Sequence, residues 1–564
     1  MIPKATPLPP PTVSPPPSVA RRARPNPWAA ACVAVGLLLA APIGVVATNL
    51  FVPGGEAWDH LRATVLPDYV GTTLVLLVAV LAGVVAAGVS CAWLVATCEF
   101  PGRRTLDWAL LLPLAMPAYV IAYAYTDLLQ FSGPVQTGLR AVTGWGAGDY
   151  WFPDVRSVGG AATMFVCVLY PYVYLLARVA FLEQSASLAE AGRTMGLSPW
   201  ASFFRVSLPM ARPAIAAGAS LALMETLADF GTVSYFGVQT FTTGIFRAWL
   251  SMGEPVSAAR LAMILLAFVA VVLAVERFAR RRARYFETPG SNRRARTALA
   301  GGRGVAALAV CATPLVVGFL LPTALLVRMS LAGGDTEFGA RFLTLAANSV
   351  TVASITAAVA VAIAVFLAYG ARISRSPVAV AVNRVAALGY AVPGAVIAIG
   401  VLIPASRLDH WLGGQLGISG LVFTGSLLAL VYAYLIRFLA VALQTVEAGL
   451  SKVTPSMEDA ARSLGMGAAE TLARVHAPIL RSSLTTAALL VFVDVMKELP
   501  ATFVMRPFNF DTLAVQAYNL AADERLAEAS TAALAIVAVG LLPLVLASRR
   551  LVRPDERSGA TSRA

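Results

Sequence analysis

Apolar runs of roughly twenty residues, the length of helix that crosses a hydrocarbon core, alternate along this chain with short polar connectors. They fall near residues 28–50, 70–97, 106–129, 161–180, 213–236 and 258–275, and again near 305–327, 350–369, 385–403, 421–441, 484–504 and 531–547. The pattern predicts an all-α polytopic membrane protein of about 12 transmembrane helices, built as two tandem six-helix units. The units are expected over residues 28–282 and 303–550, joined by an arginine-rich linker at 283–302 and flanked by a proline-rich start at 1–27 and a tail at 551–564. An even number of spans in each unit places equivalent loops on the same side. The units are therefore expected to be parallel repeats related by an axis along the membrane normal.

Composition supports the same class. With 58% hydrophobic and 13% charged residues over 564 positions and a mean hydropathy of +0.74, the chain is more apolar than soluble domains, where about 45–50% and 25% are usual. The net charge of +13 sits in short connectors: Arg21, Arg22 and Arg24, then Arg277, Arg280, Arg281, Arg282, Arg284, Arg293, Arg294, Arg296 and Arg303, then Arg549, Arg550 and Arg553. Positive connectors mark the cytoplasmic side of a bacterial inner membrane, which puts the linker and both termini there. They form no continuous basic stripe, so no nucleic-acid partner is expected; membrane lipid is. Loops carrying Asp149, Asp154, Glu254, Asp511, Asp523 and Glu524 are expected on the outer side. Cys32, Cys91, Cys98, Cys167 and Cys311 lie in apolar segments without disulfide or metal-ligand spacing, and read as small core residues.

One stretch occurs twice. Residues 190–209, EAGRTMGLSPWASFFRVSLP, recur 269 positions later as DAARSLGMGAAETLARVHAP, with Ala, Arg, Gly, Arg, Val and Pro coinciding. The pattern predicts a short helix, a turn at Gly196 or Gly465, and a second helix stopped by Pro209 or Pro478 before the chain re-enters the membrane. The span after each copy carries acids in the same register: Glu225 and Asp229 in METLADFGTV, Asp494 and Glu498 in VDVMKELPAT, with Lys497 beside them. Residues four apart share a helix face, so each span is expected to present a carboxylate pair. An ionised group at mid-membrane costs about 2.5–3.5 kcal/mol on insertion scales, which points to a translocation path or gate. Salt bridging of Lys497 to Glu498 or Asp494, with the other acids capping broken helix ends near Gly231 and Pro500, is the alternative. Pro117 and Pro393 recur in the third span of each unit and are expected to kink or pack it. Tyr119, Tyr123, Tyr125, Tyr170, Tyr172, Tyr174, Tyr432 and Tyr434 could serve a hard cation, although an interfacial aromatic belt accounts for them more simply. None of the three lysines, Lys4, Lys452 and Lys497, ends a GxxxxGK loop, and His60, His410 and His476 are scattered. No catalytic residue and no metal site is assigned.

The two-times-six layout, both duplicated loops, METLADFGTVSYFG at 224–237 and KELPATFVMRPFNFDTLAV at 497–515 together resemble the fused permease subunits of bacterial ferric iron importers of the ATP-binding-cassette (ABC) class, in the binding-protein-dependent transport family. The resemblance identifies Glu190, Ala191, Gly192, Gly196, Leu208, Pro209 and Asp459, Ala460, Ala461, Gly465, Pro478 as EAA loops that couple to an ATPase. It departs from the family pattern at Gly192, at Asp459 and at Ala477. It implies a homodimeric ATPase partner that carries ATP and Mg, with no cofactor in this chain, and an extracytoplasmic binding protein that delivers the cargo. The two loops would pass the closure of the ATPase dimer to the fifth and eleventh spans, alternating access to a midline path. Thiamine, polyamines, sulfate and phosphonates are cargoes of related permeases. An ion-driven secondary transporter would instead work without an ATPase.

Overall fold

The computed structural model describes residues 27–184, 196, 198–281, 296–333, 339–417 and 420–551. The proline-rich start, most of the arginine-rich linker, the end of the tail and Glu190, Ala191 and Gly192 lie outside the described residues. Among the described residues, eleven helices are long and apolar enough to span a membrane, and a twelfth span forms if the bent pair Arg103–Ala115 and Ala118–Thr143 is counted as one. They divide six and six between the halves, as the hydrophobic pattern predicts. Equivalent spans even begin alike. Ser157 accepts from the Gly160 N–H at 3.1 Å and Ser426 from the Ala429 N–H at 3.1 Å, each capping the fourth span of its half. The arginines at 277, 280 and 281 belong to the helix Pro255–Arg281 and not to the linker, and Arg280 pairs with Glu276.

The two groups of six are interlocked through their first helices. Pro27–Thr48 lies against the second half: Trp28 packs on Phe366 with ring centroids 5.8 Å apart, and the Tyr432 hydroxyl donates to the Leu38 carbonyl. Small residues permit this approach, as they do between membrane helices generally. A Cβ on Gly400 would stand 2.5 Å from the Pro42 carbonyl oxygen, and one on Gly370 2.6 Å from the Cys32 sulfur. The first helix of the second half, within Gly302–Gly333, lies in turn against the first half. There the Tyr125 hydroxyl donates to the Val317 carbonyl at 2.7 Å, the Cys91 thiol points at the Val310 carbonyl at 3.8 Å, and Arg328 pairs with Asp127 at 2.7 Å. A short parallel pairing of Cys98–Glu99 with Thr297–Ala298 adds a further tie between the halves.

The prolines of the third spans break those helices where a kink was expected. Proline disfavours helical dihedrals at the residue before it. Met116 accordingly sits at ψ 114° ahead of Pro117, and Val392 at ψ 123° ahead of Pro393. In the first half the two segments turn by 92°. The fifth spans break as well. Leu208–Ala228 ends at Asp229 and restarts at Gly231–Tyr235, while Ala477–Met496 ends at Lys497 and restarts at Pro500–Met505. Four helix breaks, two from each half, thus lie in corresponding places.

The tyrosines do not form an interfacial belt. Tyr119, Tyr123, Tyr125, Tyr170, Tyr174 and Tyr434 are buried, because their rings fill space between helices; the hydroxyls of Tyr170 and Tyr174 donate to Leu110 O and Asp107 O, whereas those of Tyr119 and Tyr123 have no partner. All five cysteines are buried and unpaired by disulfides, as expected. The packing of the exchanged first helix predicts that Gly400→Leu will lower the thermal midpoint of the purified protein, by the equivalent of about 1–3 kcal/mol. An unchanged midpoint would contradict the close approach to Pro42.

Candidate functional site

The four breaks surround an internal cavity of about 110 Å³ lined by Pro117, Tyr119, Tyr172, Glu225, Asp229, Tyr390, Arg437, Asp494, Lys497 and Glu498 among others. All five acids and bases singled out in the sequence are therefore brought together. Their arrangement is not that of two carboxylate pairs on continuous helices. The helices end at Ala228 and Met496, so Asp229 and Glu498 fall beyond them and turn to the next segment. The Asp229 carboxylate accepts from the backbone N–H groups of Thr232 at 2.9 Å and Val233 at 3.3 Å. That of Glu498 accepts from Ala501 at 2.8 Å and Thr502 at 2.9 Å. Each acid thus caps a helix start that would otherwise leave backbone donors unpaired in an apolar setting. The hydroxyls of Thr232 and Thr502 complete the same caps.

Glu225 and Asp494, four residues earlier, face charges instead. Asp494 pairs with Lys497 at 2.9 Å, while Glu225 meets Arg437 at 3.7 Å. Arg437 also meets Glu498 at 3.7 Å, so one guanidinium from the tenth span stands between acids of both halves. The sequence reading missed this residue. Its signal was present: Arg437 is the only charged position in LLALVYAYLIRFLAVAL, residues 427–443, and a lone arginine in a span is a functional candidate by default. Its counterpart 269 positions earlier is Val168, so the cation belongs to one half alone.

An aromatic cluster follows Asp229 in the chain, and a second space adjoins the cavity. Phe230 stacks on Phe246 with centroids 3.9 Å apart, Phe503 and Tyr518 pack around it at 5.6 Å each, and Ser234 shares a 2.8 Å hydrogen bond with Tyr518 across the halves. The second space, of about 560 Å³, shares Leu114, Tyr172, Tyr390, Asp494 and Lys497 with the first and reaches Leu221, Gln444 and Thr445. The charged centre thus adjoins this second space through Asp494 and Lys497.

The second loop is a helix Pro455–Ser463, a turn, and a helix beginning at Ala468. Gly465 has φ +80° and Gly196 has φ +74°, left-handed values that favour glycine, as the motif requires. The prolines do not stop the second helix. Pro209 and Pro478 lie in the first turns of Leu208–Ala228 and Ala477–Met496, each directly after a π turn, Phe203–Ser207 or Leu472–His476. The wider turn absorbs the missing N–H, so the loop helix runs on into the span. Arg372 holds the second loop, pairing with Glu458 at 2.6 Å and donating to the carbonyls of Leu450 at 2.6 Å and Val453 at 2.5 Å. Asp459 and Ala460 are exposed, Asp459 in a surface pair with Arg462 at 2.5 Å, whereas Ala461 is buried. Leu208 is partly buried and Pro478 exposed. The first loop is held by aromatic packing, with Trp93 stacked on Trp200 at 6.1 Å and on edge to Phe203 at 5.0 Å.

The described residues thus form a repeated bundle of membrane-length helices with a charged midpoint. Residues 79–284 match the family described as the binding-protein-dependent transport system inner membrane component. That stretch is less than half of the chain, and the loop and acids that recur 269 positions on carry the same pattern into the second half. The chain is 25% identical over 486 residues to the Fe(3+)-transport system permease protein FbpB 2 of Haemophilus influenzae, covering 85% of this chain and 89% of that protein. The molybdenum transport system permease protein ModB of Escherichia coli K12 is 29% identical over 196 residues, 33% of this chain and 82% of its own length. A probable sulfate transport system permease protein cysT of Chlorokybus atmophyticus is 30% identical over 151 residues, 26% of this chain and 48% of its own length.

The pairing of Lys497 predicts a specific pattern of stability. Lys497→Met strands the Asp494 carboxylate and should cost about 3 kcal/mol, the lower end for a broken buried pair, because 31% of the lysine side chain faces open space. Adding Asp494→Asn should restore the melting temperature. A Lys497→Met protein as stable as the parent would place the Asp494 charge in water.

Proposed function

We propose that this chain is the membrane-spanning subunit of an ATP-driven importer of ferric iron. In this reading a homodimeric ATPase docks from the cytoplasm on the two duplicated loops, and an extracytoplasmic binding protein delivers the cargo to the opposite face. Both termini and the linker are cytoplasmic, following the arginine distribution. The loops transmit closure of the ATPase to the spans they continue into, which carry Glu225, Asp229, Asp494 and Glu498 to the cavity.

The observation that carries the cargo assignment is the likeness to the iron relative, which spans both halves, whereas the molybdenum and sulfate relatives match about a third of the chain or less. The chemistry of the cavity supports it. Four carboxylates and two cations leave an excess of negative charge, and carboxylate and phenol oxygens suit a hard cation. A second reading, an oxyanion cargo, draws on the presence of Arg437 and Lys497 in the same cavity and on those two relatives.

The deciding experiment is ATP hydrolysis by the permease reconstituted with its ATPase. Iron-loaded binding protein is expected to stimulate turnover several-fold, whereas molybdate- or sulfate-loaded binding proteins should leave it at the basal rate. Stimulation by an oxyanion-loaded protein in place of the iron-loaded one would overturn the iron assignment. Full transport without any ATPase would overturn the importer mechanism as a whole.

A further inference from the structure

We propose that Arg437 is a tethered counter-cation that occupies the cation position of the path, so that a positively charged cargo passes only by displacing its guanidinium from Glu225 and Glu498. The residue thereby sets the charge a cargo must carry. This rests on the reading of the cargo as a hard cation, but it concerns the permease alone.

The contacts of Arg437 are those of a counter-ion and not of a structural clamp. An arginine built to tie two elements together usually donates parallel hydrogen bonds at about 2.7–2.9 Å. Here the nearest carboxylate oxygens stand at 3.7 Å, one from each half, and the buried Nε has no hydrogen-bond partner. The attraction is chiefly Coulombic, and another cation can supply it. On one side the guanidinium is backed by the chain: a Cβ on Gly394 would lie 3.0 Å from Arg437 Nη1 and 2.9 Å from Glu498 Oε1. On the other side it lines the cavity.

The same cavity holds an unused ligand. Tyr119 lines it, is 4% exposed, and has a buried hydroxyl without a hydrogen-bond partner. A phenol oxygen in a cavity lined by carboxylates adds to a hard donor set. Among the described residues no three acids, histidines or cysteines stand close enough to hold a metal together. That fits a path, where a cargo must be released as readily as it is bound and a resident cation keeps the acids from trapping it. Coulomb attraction scales with charge, so a trivalent ion competes with one guanidinium where a well-hydrated monovalent ion does not.

The test uses terbium(III), a luminescent hard trivalent cation, with the purified full-length permease. Arg437→Gln should bind terbium about ten-fold more tightly or better than the parent. Arg437→Lys, which keeps the charge but cannot reach both acids, should fall between, and adding Glu225→Gln to Arg437→Gln should remove the gain. Equal affinity in the parent and Arg437→Gln, or a gain that survives Glu225→Gln, would overturn the proposal. Should Arg437→Gln prove unstable, terbium is expected to raise its melting temperature more than that of the parent, because the ion binds only the folded form. No such rise would also overturn it. Failure of the iron reading would show separately, as an unstimulated ATPase with the parent permease and iron-loaded binding protein, and leaves the terbium comparison intact.

Discussion

A peptide N–H left unpaired within a bilayer costs several kcal/mol, and this fold breaks four helices in its interior. Everything at the centre follows from how those breaks are satisfied. The fifth span of each half ends one or two residues before an acid, Ala228 ahead of Asp229 and Met496 ahead of Glu498, and the acid folds forward to accept the free N–H groups of the next short helix. The carboxylates at 229 and 498 are therefore required by the backbone before they serve any cargo. Their charge must then be balanced in a low-dielectric setting. Arg437 balances Glu498 and at the same time draws Glu225 from the other half to the same point. Backbone irregularity, buried charge and the junction between halves are one feature.

The exchange of first helices gives this centre its frame. Each half is covered by a helix from the other, so the two cannot separate as rigid units without unpacking Gly400 from Pro42 or Tyr125 from the Val317 carbonyl. The π turns at Phe203–Ser207 and Leu472–His476 lie where loop becomes span, at the same place in each half.

The span layout was legible because length and apolarity alone determine it. The repeat was legible through identities at one fixed spacing, and the same spacing located the acids. What the sequence could not supply was partnership between helices. Spacing rules pair residues within one helix, so Asp494 with Lys497 could be anticipated, whereas Arg437 with Glu225 joins residues more than two hundred positions apart. Gly36, Gly370 and Gly400 read as members of apolar runs, and nothing local marks them as contacts for an exchanged helix. The prolines at 117 and 393 signalled disruption, but its size depends on whether neighbours satisfy the freed groups. The buried tyrosines were misassigned to an interface for the same reason: residue type gives amphipathy, and only packing gives depth.

The central claim is that cargo passes through the charged centre at the helix breaks. It is tested most directly by radioactive iron uptake into vesicles that contain the permease with the ATPase and binding protein proposed for it, with Asp494→Asn and Lys497→Met combined. That double substitution removes a charge pair from the cavity without leaving either partner stranded, and it spares the capping acids. The account predicts an assembled complex whose ATP hydrolysis still responds to loaded binding protein, with iron uptake reduced about ten-fold or more. Uptake equal to that of the parent would contradict it.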